Sequence, residues 1–119
     1  MSTTIYYNPG CSKCRQTLEL LQTKGAEPSI VEYLNTPPDA ETLNEVLKLL
    51  NREPRDLMRQ HEAEYTDNKL DDTSLSREQL IAAMVKFPKL IERPIVITEH
   101  NGKRQAAIGR PPESVLDIL

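Results

Sequence analysis

Two cysteines, Cys11 and Cys14, flank Ser12-Lys13 and follow the turn-forming run Asn8-Pro9-Gly10. Thiols at this spacing can exchange electrons, ligate a metal or simply pack. Cysteines three residues apart on the first turn of a helix are close enough to share a disulfide. A structural zinc site needs two more ligands, and His61 and His100 are far apart and fit no zinc-type spacing. Inert core thiols are common, but Cys11 sits beside Gly10 at a turn rather than within an apolar run. The pair reads as a redox motif, with no metal.

A helix start changes the acidity of a thiol. Free N–H groups and the positive end of the helix dipole favour thiolate over thiol, and Lys13 and Arg15 add positive charge. A pKa lowered from ~8.5 to ~6.5 raises the thiolate fraction at neutral pH from ~3% to ~75%. Cys11, at the exposed start, is the candidate nucleophile. Cys14, one turn inside, is the candidate resolving or auxiliary thiol, with Asn8, Lys13 and Arg15 as candidate thiolate-supporting residues. Arginines add a complementary chemistry, because guanidinium grips a tetrahedral oxyanion through parallel hydrogen bonds. A single arginine is ordinarily a solvated surface residue. Only the set of Arg59, Arg93 and Arg110 around one thiolate would make an oxyanion site.

These residues are carried by elements that can be read from the pattern. Thr4-Ile5-Tyr6-Tyr7 is a β-branched and aromatic run that stops at the Asn8-Pro9-Gly10 turn. A helix follows from Cys11, with Leu18 and Leu21 on the face that Cys14 begins and Gly25 placed to end it after Lys24. Ile30-Val31-Glu32-Tyr33 is a second strand, and a crossover helix between strands implies a parallel pair. Thr36-Pro37-Pro38-Asp39 opens another helix, with prolines in its first turn and Leu43, Val46, Leu47 and Leu50 at helical spacing. Pro54 to His61 holds a short helical turn, and Asp67 to Ser74 is a polar loop. Ser76 with Gln79 forms a capping box before Leu80, Ala83, Met84 and Phe87, and Pro88 closes that helix.

Ile95-Val96-Ile97-Thr98 and Gln105-Ala106-Ala107-Ile108 flank Asn101-Gly102, the strongest short-range hairpin signal. A last helix after Pro111-Pro112-Glu113 carries Val115, Leu116 and Leu119. With the helical block of residues 36–90 set aside, the order is βαβ-ββα. That is the order of an α/β, thioredoxin-like mixed sheet, so residues 1–119 read as a single domain with a helical insertion. In such a sheet Pro94 would lie opposite the first turn, often after a cis bond, and shape the site. Arg93 would then project near Cys11, and Arg110 would end the neighbouring strand at the rim. Spacing does not place Arg59.

Composition removes several classes of function. A net charge of −3 argues against general nucleic-acid binding, and one phenylalanine, four tyrosines and no tryptophan argue against base stacking. No run approaches the ~18 apolar residues of a membrane span, and Met1-Ser2-Thr3-Thr4 lacks the start of a signal peptide. Two cysteines are too few for a disulfide-rich secreted scaffold, so a cytoplasmic location is expected.

Four ordered motifs carry a resemblance across the chain from about residue 4 onward. They are Tyr6-Tyr7-Asn8-Pro9-Gly10-Cys11, Glu32-Tyr33-Leu34-Asn35-Thr36-Pro37-Pro38, Leu90-Ile91-Glu92-Arg93-Pro94-Ile95-Val96 and Gly109-Arg110-Pro111-Pro112-Glu113. Together they resemble the glutaredoxin-linked arsenate reductases, the ArsC family. The resemblance implies a thioredoxin-like fold and reduction of arsenate to arsenite, with glutathione and glutaredoxin as electron donors and no bound cofactor. It also implies Cys11 as nucleophile, Arg59, Arg93 and Arg110 as oxyanion ligands, and phosphate as a weak competitor. Two positions depart from the family pattern: Tyr7 stands where a histidine is usual, and Cys14 where serine is usual. The alternatives are an Spx-like redox regulator that binds RNA polymerase, or a general dithiol oxidoreductase. The Spx-type proteins generally lack a Gly-Arg-Pro motif such as Gly109-Arg110-Pro111, and a protein disulfide needs no ring of cations.

Overall fold

Strands β1 (Ser2–Tyr7), β2 (Ser29–Glu32), β3 (Ile95–His100) and β4 (Lys103–Ile108) form one mixed sheet in the order β2-β1-β3-β4 in the computed structural model, which describes residues 1–119. The helix α1 (Ser12–Thr23) crosses from β1 to β2, and those two strands are parallel, whereas β3 runs antiparallel to both β1 and β4. Asn101 and Gly102 take positive φ of 54° and 80°. Two successive positive φ values are what a two-residue hairpin with the correct twist requires. That turn fixes the register, with His100 opposite Lys103 and Ile95 opposite Ile108. Arg93-Pro94 and Gly109-Arg110 therefore leave the sheet side by side.

The sheet belongs to a unit made of Met1–Thr36 and Arg93–Leu119. Its core joins Ile5, Leu21, Val96 and Val115, with Tyr7, Leu18 and Ile118 packed around them. Each such side chain removed from water contributes roughly 1.5–3 kcal/mol. Ile95 through Thr98 are buried in succession, so β3 is covered on both faces. β2 is an exposed edge, with Ile30 49% exposed, and the buried Tyr33 lies just past its end. The last helix forms as a 3-10 segment, Pro112–Ile118. With three residues per turn, Pro112, Val115 and Ile118 share the inner face. Leu116, also carried by this segment, and Leu119 just after it are exposed.

The second unit spans Pro37–Glu92. Its helix α2 (Ala40–Leu50) starts where the Asp39 carboxylate accepts the Thr42 N–H at 2.8 Å, and it ends at Asn51 in the left-handed region. Pro37 and Pro38 thus precede the cap instead of filling the first turn, because a carboxylate acceptor sets the stronger start signal. The short helix α3 (Ala63–Asp67) buries only Tyr65, too little to leave a periodic signature. The helix α4 (Arg77–Lys86) opens with the reciprocal Ser76–Gln79 box and packs on α2. Met58 and Ile91 form an antiparallel bridge, reinforced by Arg59 N–H to Leu90 O at 2.7 Å and Glu92 N–H to Leu57 O at 2.8 Å.

Candidate active site

Cys11 is the N-cap of α1, in extended conformation. The turn before it is braced from three sides. Asn8 accepts the Gly10 N–H on its side-chain oxygen at 2.9 Å and the Cys11 N–H on its carbonyl at 3.0 Å, and Arg15 donates to the Pro9 carbonyl at 2.7 Å. Asn8 and Arg15 therefore hold the turn through these bonds. Lys13 bears on the sulfur through its backbone N–H.

Burial, at 7% exposure, pushes the Cys11 thiol up, but four hydrogen-bonding groups outweigh it. In order of effect they are the Cys14 N–H, the Arg93 side chain, the Cys14 thiol and the Lys13 N–H, and the pKa settles at about 7, down from 9.0. Half of Cys11 is then thiolate at neutral pH. Arg110 Nη2 donates to the same sulfur from 3.4 Å, while its Nε donates to the Arg93 carbonyl at 2.6 Å. Arg93 loses some basicity to burial but regains more from its bond to Cys11 and from Tyr33 nearby, so its pKa is raised and its charge is secure. The sulfur thus faces two guanidinium groups, one of which, that of Arg110, is tied to the backbone of Arg93.

Cys14 is driven the other way. Complete burial is the main cause, and although the Asn8 N–H opposes it, the neighbouring Cys11 adds to it, leaving the thiol pushed up to about 12. Cys14 stays protonated across the neutral range and offers its S–H to Cys11. Tyr7, at the position where the resembled family usually has histidine, packs against the core around Ile5 and Val96 and is not among the groups that set the acidity of Cys11.

Pro94 follows a cis peptide bond and lies against the start of β3. Its carbonyl accepts the Gly109 N–H at 2.9 Å. Cys11, Cys14, Arg93, Pro94 and Arg110 are thereby brought together within one unit. Arg59 belongs to the other unit. There its Nη1 meets Glu92 Oε1 at 3.0 Å, its Nε meets Glu62 at 3.4 Å, and its Nη2 lies 3.0 Å from His61 Nε2. The two glutamates and Tyr33 were not among the sequence candidates. Glu62 carried a usable signal, three residues beyond Arg59. No three His, Cys, Asp or Glu side chains gather as a metal-binding group, and no helix is long and apolar enough to cross a membrane.

A mixed sheet with a low-pKa thiolate at the first strand-to-helix turn and a cis-proline beside it defines a thioredoxin-like thiol protein. The likeness to solved structures agrees: an arsenate reductase from Vibrio cholerae superposes with a TM-score of 0.92 at 49% identity, covering 100% of this chain and 98% of that one. The ArsC family model matches residues 6–118, and the chain belongs to that family. Among its relatives, an Escherichia coli K12 protein of uncharacterised function, YfgD, is 57% identical over 97% of this chain and 94% of its own length. An arsenate reductase of Haemophilus influenzae is 45% identical over the full length of both chains.

Proposed function

We propose that this chain is an arsenate reductase drawing electrons from glutathione and glutaredoxin, built as a single thioredoxin-like domain with the block of residues 36–90 as its insertion. One observation supports this reading above the others: the Cys11 sulfur is bonded by Arg110 at 3.4 Å and by Arg93. A protein-disulfide exchanger needs a stabilised thiolate but no second guanidinium group to grip an oxyanion. Two unit charges ~4 Å apart interact by about 4 kcal/mol at an effective dielectric of ~20, and a thiolate approaching an arsenate dianion faces roughly twice that repulsion. Guanidinium groups touching both partners offset it.

The Cys11 thiolate attacks arsenic, an As–S bond forms, and one oxygen leaves as water after protonation. A glutathione thiolate then attacks the Cys11 sulfur. An S–S bond forms, the electron pair of the As–S bond stays on arsenic, and arsenite departs. Glutaredoxin reduces the mixed disulfide left on Cys11. Arg93 and Arg110 hold the oxygens as charge redistributes, and its motif match assigns Arg59 the same role. Phosphate has the same shape and charge but no accessible reduction, so it competes weakly. The burial and high pKa of Cys14 favour glutathione as the resolving thiol, with Cys14 as a hydrogen-bond donor. Trypsin separates the two cysteines at Lys13. Incubation with arsenate and glutathione, without glutaredoxin, should load one glutathione onto the Met1–Lys13 peptide. An unmodified peptide, or a Cys11–Cys14 disulfide in its place, rules out this route.

A further inference from the structure

The chain just before Arg110, which reaches the Cys11 sulfur, runs unusually close to α1 and to Pro94. Gly109 is buried, and its neighbours on either side of the sheet end are already committed: its N–H goes to Pro94 O at 2.9 Å, and the Arg110 N–H turns back to Ile108 O at 2.9 Å. A bond spanning two residues closes a tight turn centred on Gly109. Glycine is not needed here for a left-handed φ; the positive-φ glycines are Gly25 and Gly102. It is needed for space. A Cβ at this position would run into the Thr17 hydroxyl and would stand 2.7 Å from Pro94 Cγ and 3.0 Å from Thr17 Cγ2. Thr17 is fully buried in the middle of α1, and its hydroxyl lies 3.5 Å from the Gly109 carbonyl, a long contact across 92 positions of sequence.

We propose that Gly109, seated against Thr17 and Pro94, is a positioning residue that sets the Arg110 guanidinium on the Cys11 sulfur. Three consecutive features depend on that seat: the Gly109–Pro94 bond, the Arg110–Arg93 bond at 2.6 Å and the Arg110–Cys11 contact at 3.4 Å. Any side chain at position 109 must push the turn away from α1 or from Pro94. Either movement swings Arg110 off the sulfur and breaks its bond to the Arg93 carbonyl. The inference rests on the oxyanion-site reading, yet the contact it concerns is between the protein's own groups.

The test is Gly109→Ala, compared with Thr17→Ala and with the double variant. Two readings are taken on each: the pH profile of Cys11 alkylation by iodoacetamide, and the protection of Cys11 by inorganic phosphate. Circular dichroism monitors the fold. Gly109→Ala is expected to shift the alkylation midpoint upward and weaken phosphate protection by about tenfold or more, the size of one lost hydrogen bond to a charged group. In the double variant the Thr17 contacts are gone while Pro94 Cγ still stands 2.7 Å from the new methyl, so each loss should shrink without vanishing. A folded Gly109→Ala protein with an unchanged midpoint and phosphate protection within twofold overturns the proposal. So does a double variant that folds without recovery, or that fails to fold. The alkylation midpoint reads the arginine–thiolate contact directly. If the wild type gains no protection from phosphate, the oxyanion reading fails while the midpoint still decides the role of Gly109.

Discussion

Alkylation of Cys11 should titrate with a midpoint near pH 7. The perturbation is pH itself, read as the rate of iodoacetamide addition to the Met1–Lys13 peptide, which carries Cys11 without Cys14. With a pKa of about 7 instead of 9.0, the thiolate fraction at pH 7 is about one half instead of ~1%, a gain of ~50-fold. A more acidic thiol is also a weaker nucleophile. With a Brønsted slope of ~0.45, a two-unit drop reduces intrinsic reactivity by ~8-fold, leaving a net gain of about sixfold at neutral pH. The rate should therefore level off by about pH 8.5, where an ordinary thiol is still climbing. Arg93→Met should move the midpoint upward, because the Arg93 hydrogen bond is among the groups that hold the charge. Stability follows the same proton. Between about pH 7 and 9 the folded state has released it and the unfolded chain has not, so stability rises with pH through that window, and Cys11→Ser removes the rise. A wild-type midpoint above about 8.5, or one indifferent to Arg93→Met, refutes the assignment of an arginine-stabilised thiolate.

The other predictions follow from individual contacts. Arg93→Lys should lower kcat/KM for arsenate by about ten- to a thousand-fold, since an ammonium cannot reproduce a two-pronged grip; turnover within twofold of wild type would make Arg93 a bystander. Cys14→Ser should keep most turnover and show a Cys11 midpoint within about one unit of wild type, because a hydroxyl can still donate to the thiolate. A stalled arsenic adduct in that variant would instead make Cys14 the resolving thiol. Ser76→Ala should lower unfolding free energy by about 1 kcal/mol in a denaturant titration, through loss of the cap on α4, and leave turnover unchanged.

Local signals were read well because they are stated within a few residues. The Asn101-Gly102 turn, the Ser76–Gln79 box and the Gly25 stop each have their cause inside one turn of chain. The last segment was legible as a helix with Val115 on it, but not as a 3-10 segment, whose three-residue repeat turns Pro112, Val115 and Ile118 to the core and leaves Leu116 and Leu119 exposed. Arg93 and Arg110 were legible because both flank the strand ends of the Asn-Gly hairpin, whose register pairs Ile95 with Ile108. The seat of Gly109 on Thr17 was not. That approach joins residues 92 positions apart, and nothing in either local sequence announces it. Arg59 was recognised by motif alone; its Glu62 partner lies three residues on, whereas its Glu92 partner depends on the Met58–Ile91 bridge, which brings two distant segments together.

The central claim is that Cys11 attacks arsenate, and arsenite release tests it most directly. Purified protein supplied with arsenate, glutathione and glutaredoxin should form arsenite continuously, as followed by arsenic speciation, and Cys11→Ser should fall to the protein-free background. Arsenite production by the Cys11→Ser protein at the wild-type rate, or none from the wild type, would contradict the account.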